Sequence, residues 1–179
     1  WGLPEFLTVF NDSALKKHYA NDGRNHLSLE QASFDSWLNG YKPGVPNRKI
    51  SFYTKGALAA FILDYRIRQA SHNEKSLDTV MREMYDRFGK TGAGYTKADY
   101  RAIAEAHSGI DLSDYFIDVI EGTVPLEPLL KAAANYVGLD LVLRKPATVA
   151  ERLFGFQIED SEKVFLVKQV WENGPASFA

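Results

Sequence analysis

The chain has 179 residues, 45% of them hydrophobic, with three Trp, nine Tyr and eleven Phe, enough to bury a core as one domain or one domain plus part of another. Its 21 basic and 23 acidic residues are interspersed and leave a net charge of −2, which gives no electrostatic reason to expect nucleic acid or an anionic membrane as a partner. No apolar run reaches the length of a membrane span, and the absence of cysteine excludes disulfides, thiolate metal sites and cysteine nucleophiles.

In chain order, Leu3, Phe6, Leu7, Phe10 and Ala14 recur at helical spacing, with Pro4 suited to a first turn. Asp22-Gly23 breaks that run. Ser28 and Gln31 have capping-box spacing and predict a short helix carrying Phe34, Trp37 and Leu38. Tyr41 to Lys49, with Pro43, Gly44 and Pro46, predicts a loop. From about Ser51 a helix follows whose apolar residues (Leu58, Phe61, Ile62 and Tyr65, with Ala59, Leu63 and Ile67) occupy most of its circumference, the pattern of a central helix. Ser76 opens an amphipathic helix through Leu77, Val80, Met81, Met84, Tyr85 and Phe88, stopped at Gly89. Thr96 with Asp99 opens another that ends near Gly109. Asp111 to Glu121 predicts a further helix, and Leu126, Leu129, Leu130 and Ala133 one more.

After Gly138 the period changes. Leu139, Leu141 and Leu143 alternate as in a strand, and Phe154–Ile158 and Val164–Val170 are short β-type runs with a hairpin turn expected at Asp160 to Lys163. The expected organisation is mainly α, a helical bundle over residues 1–136 followed by a small β unit over 137–179. Trp1 is neither an initiator Met nor the start of a signal peptide, and Asn173-Gly174-Pro175-Ala176 reads as the entry to a helix. Both ends are expected to be internal to a longer protein, which leaves targeting and compartment, cytoplasmic or periplasmic, unread.

No self-contained active site is legible. None of His18, His26, His72 and His107 lies in H-E-x-x-H, and no pair has the i, i+4 spacing that turns two imidazoles to one helix face, so no metal ligands are expected in this chain. There is no G-x-S-x-G elbow and no P-loop. Asp111 and Asp114 could share a proton, but their place at a helix start is explained by capping and the helix dipole. The segment Ile50 to Leu58 is unusual: Tyr53 stands just inside the start of a buried helix, where the phenol would sit at the mouth of the bundle on a core-supported ring, although the residues alone favour the plainer reading of a half-buried Tyr with a satisfied hydroxyl. Gly56 one turn on would admit a backbone or ligand.

Tyr53-Thr54-Lys55-Gly56 resembles the Tyr-Ser/Thr-Lys-Gly stretch of gluzincin aminopeptidases, which are thermolysin-like zinc enzymes. Ala32-Ser33-Phe34-Asp35-Ser36-Trp37, Lys75 to Met81, Gly94-Tyr95-Thr96, Asp111 to Phe116 and Glu121-Gly122-Thr123 follow in the right order for the glycyl aminopeptidase family. The resemblance is close from Gln31 to Gly122 and looser elsewhere. It implies that the helical unit is the C-terminal subdomain of a thermolysin-like catalytic domain and that the β unit is a truncated PDZ-like domain. Leu153-Phe154-Gly155-Phe156 resembles the carboxylate-binding loop of PDZ domains, with Leu153 in place of the usual first Gly, so Phe154, Gly155 and Phe156 are weak substrate-binding candidates. It implies zinc in the intact parent, held by residues with no counterpart in this sequence, and peptides as substrates, cleaved at an N-terminal residue such as glycine. One catalytic residue carries over, Tyr53, as a hydrogen-bond donor to the oxyanion of the tetrahedral intermediate. The fragment alone is expected to be inactive. The alternative from another class is a non-catalytic helical and PDZ-like interaction module.

Overall fold

The structure, a computed structural model, describes residues 2–39, 49–146, 148–161 and 164–178. It is mainly helical, with one two-stranded antiparallel sheet near the C-terminal end. The loop expected from Tyr41 falls outside the described residues except for Lys49.

Helix α1 (Leu3–Phe10) has Pro4 in its first turn and runs through a π-helical turn (Asn11–Leu15) into α2 (Lys16–Tyr19). A 3₁₀ turn at Asp22–Asn25 then reverses the chain. Helix α3 (Leu29–Phe34) starts on the expected capping box: Ser28 Oγ accepts from Gln31 N and Gln31 Oε1 accepts from Ser28 N, both at 3.1 Å. The chain breaks at Asp35 before α4 (Ser36–Asn39). Phe34 and Trp37, expected on one short helix, are 85% and 91% exposed.

Helix α5 (Phe52–Ala70) is central. It packs against α2, α3, the π turn after α1, α6 (Leu77–Met84), α7 (Lys97–Ser108) and α9 (Glu127–Tyr136). Its Leu58, Ala59, Ile62, Leu63 and Ile67 are buried on more than one side, as its nearly all-round apolar pattern requires. Burying each of the larger aliphatic chains contributes about 1.5–3 kcal/mol. Tyr115, on the short α8 (Ser113–Tyr115), donates its hydroxyl to the carbonyl of Ala59 at 3.0 Å inside this core, and burial pushes its phenol pKa far up. A π-helical run (Phe116–Glu121) continues α8 and buries Phe116 and Val119.

The amphipathic helix from Ser76 is present, but only Val80 and Met84 of its expected apolar face are fully buried; Met81 and Tyr85 are 52% and 61% exposed. Val80 and Met84 are one turn apart and meet the core, whereas Met81 and Tyr85 follow each by one residue and turn outward. Thr96 and Asp99 cap α7 reciprocally, and Gly109 ends it with φ +73°, the left-handed conformation that glycine adopts at no steric cost.

The strand expected across Leu139, Leu141 and Leu143 does not form. Residues 139–146 have no ladder partner among the described residues; the segment runs beside α1 and α9, where Leu141 packs on the core edge. Leu139 and Leu141 are partly buried but Leu143 is 53% exposed, and a strand also needs a neighbouring backbone to pair with. The β-type runs further on do pair: β1 (Phe156–Ser161) and β2 (Val164–Val170) are antiparallel, Phe156 opposite Val170 and Ile158 opposite Val167, with a bulge between. Most of the turn expected between them lies outside the described residues. Consecutive residues Val164, Phe165, Leu166 and Val167 are all more than half exposed, so both faces of β2 are open.

The hairpin is tied back to the helical part by Glu172. Its backbone N–H donates to Asp22 Oδ2 at 2.7 Å, and its carboxylate lies 2.5 Å from His26 Nε2.

Candidate active site around Tyr53

Ser51 is the N-cap of α5, its Oγ accepting from Thr54 N at 3.2 Å, which places Tyr53 at the second helical position. Tyr53 is 70% exposed, and its hydroxyl makes no hydrogen bond among the described residues. The ring rests on Phe52, with centroids 4.3 Å apart, and not on the bundle core as expected. The correction has a geometric cause: the core side of this turn is occupied by Lys55 and Leu58, and Tyr53 projects from another side of the helix. Gly56, three residues on, shares Tyr53's side, and a Cβ built there meets nothing within 4 Å. No backbone of the described chain approaches Gly56.

Lys55 is a functional candidate that the sequence reading passed over. It is 2% exposed, and its Nζ donates to the carbonyl of Gly122 at 3.0 Å. That carbonyl follows the π-helical run Phe116–Glu121, so the ammonium meets the negative end of a helical segment. Burial pulls the Lys55 pKa down to about 8. Across from it His18, 6% exposed, is pushed down to about 4 by burial first, then by the charges of Arg24 and Lys55. A polar side chain inside an apolar helical pattern was the available signal for Lys55; its partner 67 residues later was not legible.

The other candidates lie apart. Asp111 and Asp114 share no proton: Asp111 accepts from Ser113 N at 2.7 Å, while Asp114 takes a two-pronged pair of bonds from Arg66 at 2.8 and 2.9 Å. Phe154 stacks on Phe156 at 6.0 Å across Gly155, which has φ +75°. Gly155 lies against Gly174, where a Cβ would come within 2.9 Å of Gly174 Cα, and its carbonyl accepts from Trp171 N at 2.9 Å. Glycine at 155 is therefore required by a close approach of two backbones.

Among the described residues no three His, Asp or Glu side chains converge as a metal site would require. His26 and His107 each face a single carboxylate, Glu172 and Glu83. The described residues therefore do not fit a catalytic zinc.

Residues 5–59 match the model of the M61 glycyl aminopeptidase family, consistent with a fragment of a member of that family, and the matched span includes Tyr53 and Gly56. No curated protein and no solved structure matches the chain.

Proposed function

We propose that the chain is the helical part of the catalytic domain of a zinc-dependent aminopeptidase that removes N-terminal residues, glycine or other small ones, from peptides. The observation that carries the reading is an exposed phenol with no hydrogen bond among the described residues, at the entry of the central helix, beside an open glycine and inside the span that matches the peptidase family model. In this reading Tyr53 donates a hydrogen bond to the scissile carbonyl oxygen as it becomes an oxyanion, which stabilises the transition state more than the bound substrate. Among the described residues its hydroxyl has no partner to give up on engaging substrate. The zinc and its ligands belong to other parts of the parent protein, and the fragment alone is inactive. Residues 1–136 and 137–179 are two units, the second a partial PDZ-like domain.

The test is Tyr53→Phe in the full-length parent. Turnover falls by about a hundred- to a thousandfold with little change in the Michaelis constant, because the bond is made mainly in the transition state. Phe at Tyr65 and Tyr95 serves as the control, each costing far less. Near-normal turnover of Tyr53→Phe with fold and zinc content intact would sink the assignment.

A second reading, a non-catalytic helical and PDZ-like interaction module, is favoured by the apolar and open β2, where Phe165 is 76% exposed. It is decided by the parent reading frame: H-E-x-x-H followed by a Glu-bearing helix belongs to the peptidase, and its absence to the module.

A further inference from the structure

The buried pair His18 and Lys55 is not used by the proposed chemistry of Tyr53, and both side chains line two adjoining cavities of about 290 and 180 Å³. Arg24 lines both as well. The larger cavity is bounded by Lys17, Asn21, Ser51 and Thr54 besides these three, and no carboxylate lines it. Glu127 is the acidic residue of the smaller one.

The hydrogen-bonding balance of this wall is uneven. Arg24 Nη1 is fully engaged, lying 3.1 Å from each of the Tyr19 carbonyl, the Asn21 carbonyl and Asp22 Oδ1. Lys55 carries three N–H donors and, among the described residues, uses one, on Gly122. His18, more than nine-tenths buried, makes no hydrogen bond among the described residues; its ring meets only the edge of Tyr19, with centroids 5.2 Å apart. One negatively charged group between them would give the Lys55 ammonium a charged partner and the His18 ring an acceptor, which neither has among the described residues. The cavity stands at the N-terminal turn of α5, a helix of 19 residues, whose dipole also favours a negative charge.

We propose that the larger cavity binds a small oxyanion, a carboxylate or a phosphate, between Lys55 and His18, with the exposed Lys17 at its mouth. Binding engages a second N–H of Lys55 and turns His18 into a donor, a change favoured by the anion's charge. If the aminopeptidase reading holds, the carboxylate of a short peptide is the natural source; the site itself stands without that reading.

The experiment is a titration of the chain, labelled in its histidine rings, with inorganic phosphate and separately with acetate, at fixed pH and ionic strength. Either anion is expected to move the His18 ring resonances saturably, with a dissociation constant on the order of millimolar, while His26, His72 and His107 stay in place. Response to acetate points to a carboxylate, response to phosphate to a phosphate. Lys55→Met abolishes the response, and Lys17→Ala, an exposed change that leaves the core untouched, weakens it about two- to fivefold. No movement of His18 with either anion, or equal movement of all four histidines, would overturn the proposal and leave the Tyr53 reading standing.

Discussion

The ammonium of Lys55, on the first turn of the central helix, holds the carbonyl of Gly122, 67 residues further along, at 3.0 Å. One side chain thereby fixes the start of α5 to the end of the run that carries Tyr115, Phe116 and Val119 into the core. Lys55→Ala removes the donor, strands a carbonyl and opens a cavity, and is expected to cost about 2–4 kcal/mol. Lys55→Met keeps the volume and ends the desolvation of a charge, so it costs about 1 kcal/mol or less. Urea unfolding of the three proteins measures this; equal losses for Ala and Met would show that the hydrogen bond, and not the filled space, is what matters.

Tyr53 and Tyr115 should differ sharply in stability. Tyr53 is 70% exposed and its hydroxyl has no hydrogen bond among the described residues, so Tyr53→Phe changes stability by less than about 0.5 kcal/mol. The Tyr115 hydroxyl donates to Ala59 inside the core, and Tyr115→Phe costs about 1–2 kcal/mol by leaving that carbonyl with one acceptor position unfilled. Chemical denaturation of the two variants is the check, and a large loss at Tyr53 would return it to a structural role.

His18 makes the fold acid-sensitive. Its pKa is 6.5 in an unconstrained chain and about 4 in the fold, lowered by burial and then by Arg24 and Lys55. Between these values the unfolded chain binds a proton that the folded chain refuses, so the contribution present above pH 6.5 is lost as pH falls toward 4. The loss amounts to about 3 kcal/mol. Stability profiles of the parent and of His18→Asn should diverge across that window; parallel profiles would count against a buried neutral His18.

Amide exchange should separate the bundle from the hairpin. Leu58, Ile62 and Ile67 are fully buried, whereas Val164 to Val167 lie on a two-stranded sheet with both faces open. Exchange is expected to be slowest along α5 and fast in β2. Equal protection in the two regions would speak against independent units.

Several elements were legible because their causes are local. The Ser28–Gln31 and Thr96–Asp99 capping boxes and the stop at Gly109 depend on hydrogen bonds and backbone preferences within four residues, and all three formed. The central place of α5 was legible too, since a helix apolar on most of its circumference must be covered on most sides. The identity of Tyr53 as a candidate came from a resemblance in a short stretch, and its exposure came from the fold.

What the sequence could not supply are contacts whose partners lie far along the chain. The first N–H of α6, on Leu77, is capped by Asp64 from the middle of α5 at 2.8 Å, the same carboxylate that takes Arg68 at 2.7 Å. Leu139 to Leu143 alternated like a strand and found no backbone to pair with. Glu172 reached Asp22 across 150 residues. By itself the sequence determined where helices start, stop and turn their apolar sides, because propensity and capping act within a turn or two. Only the tertiary structure decided that Lys55 and His18 would be buried together while Tyr53 stands open, because burial is set by which distant surfaces meet and not by the residue's own neighbours.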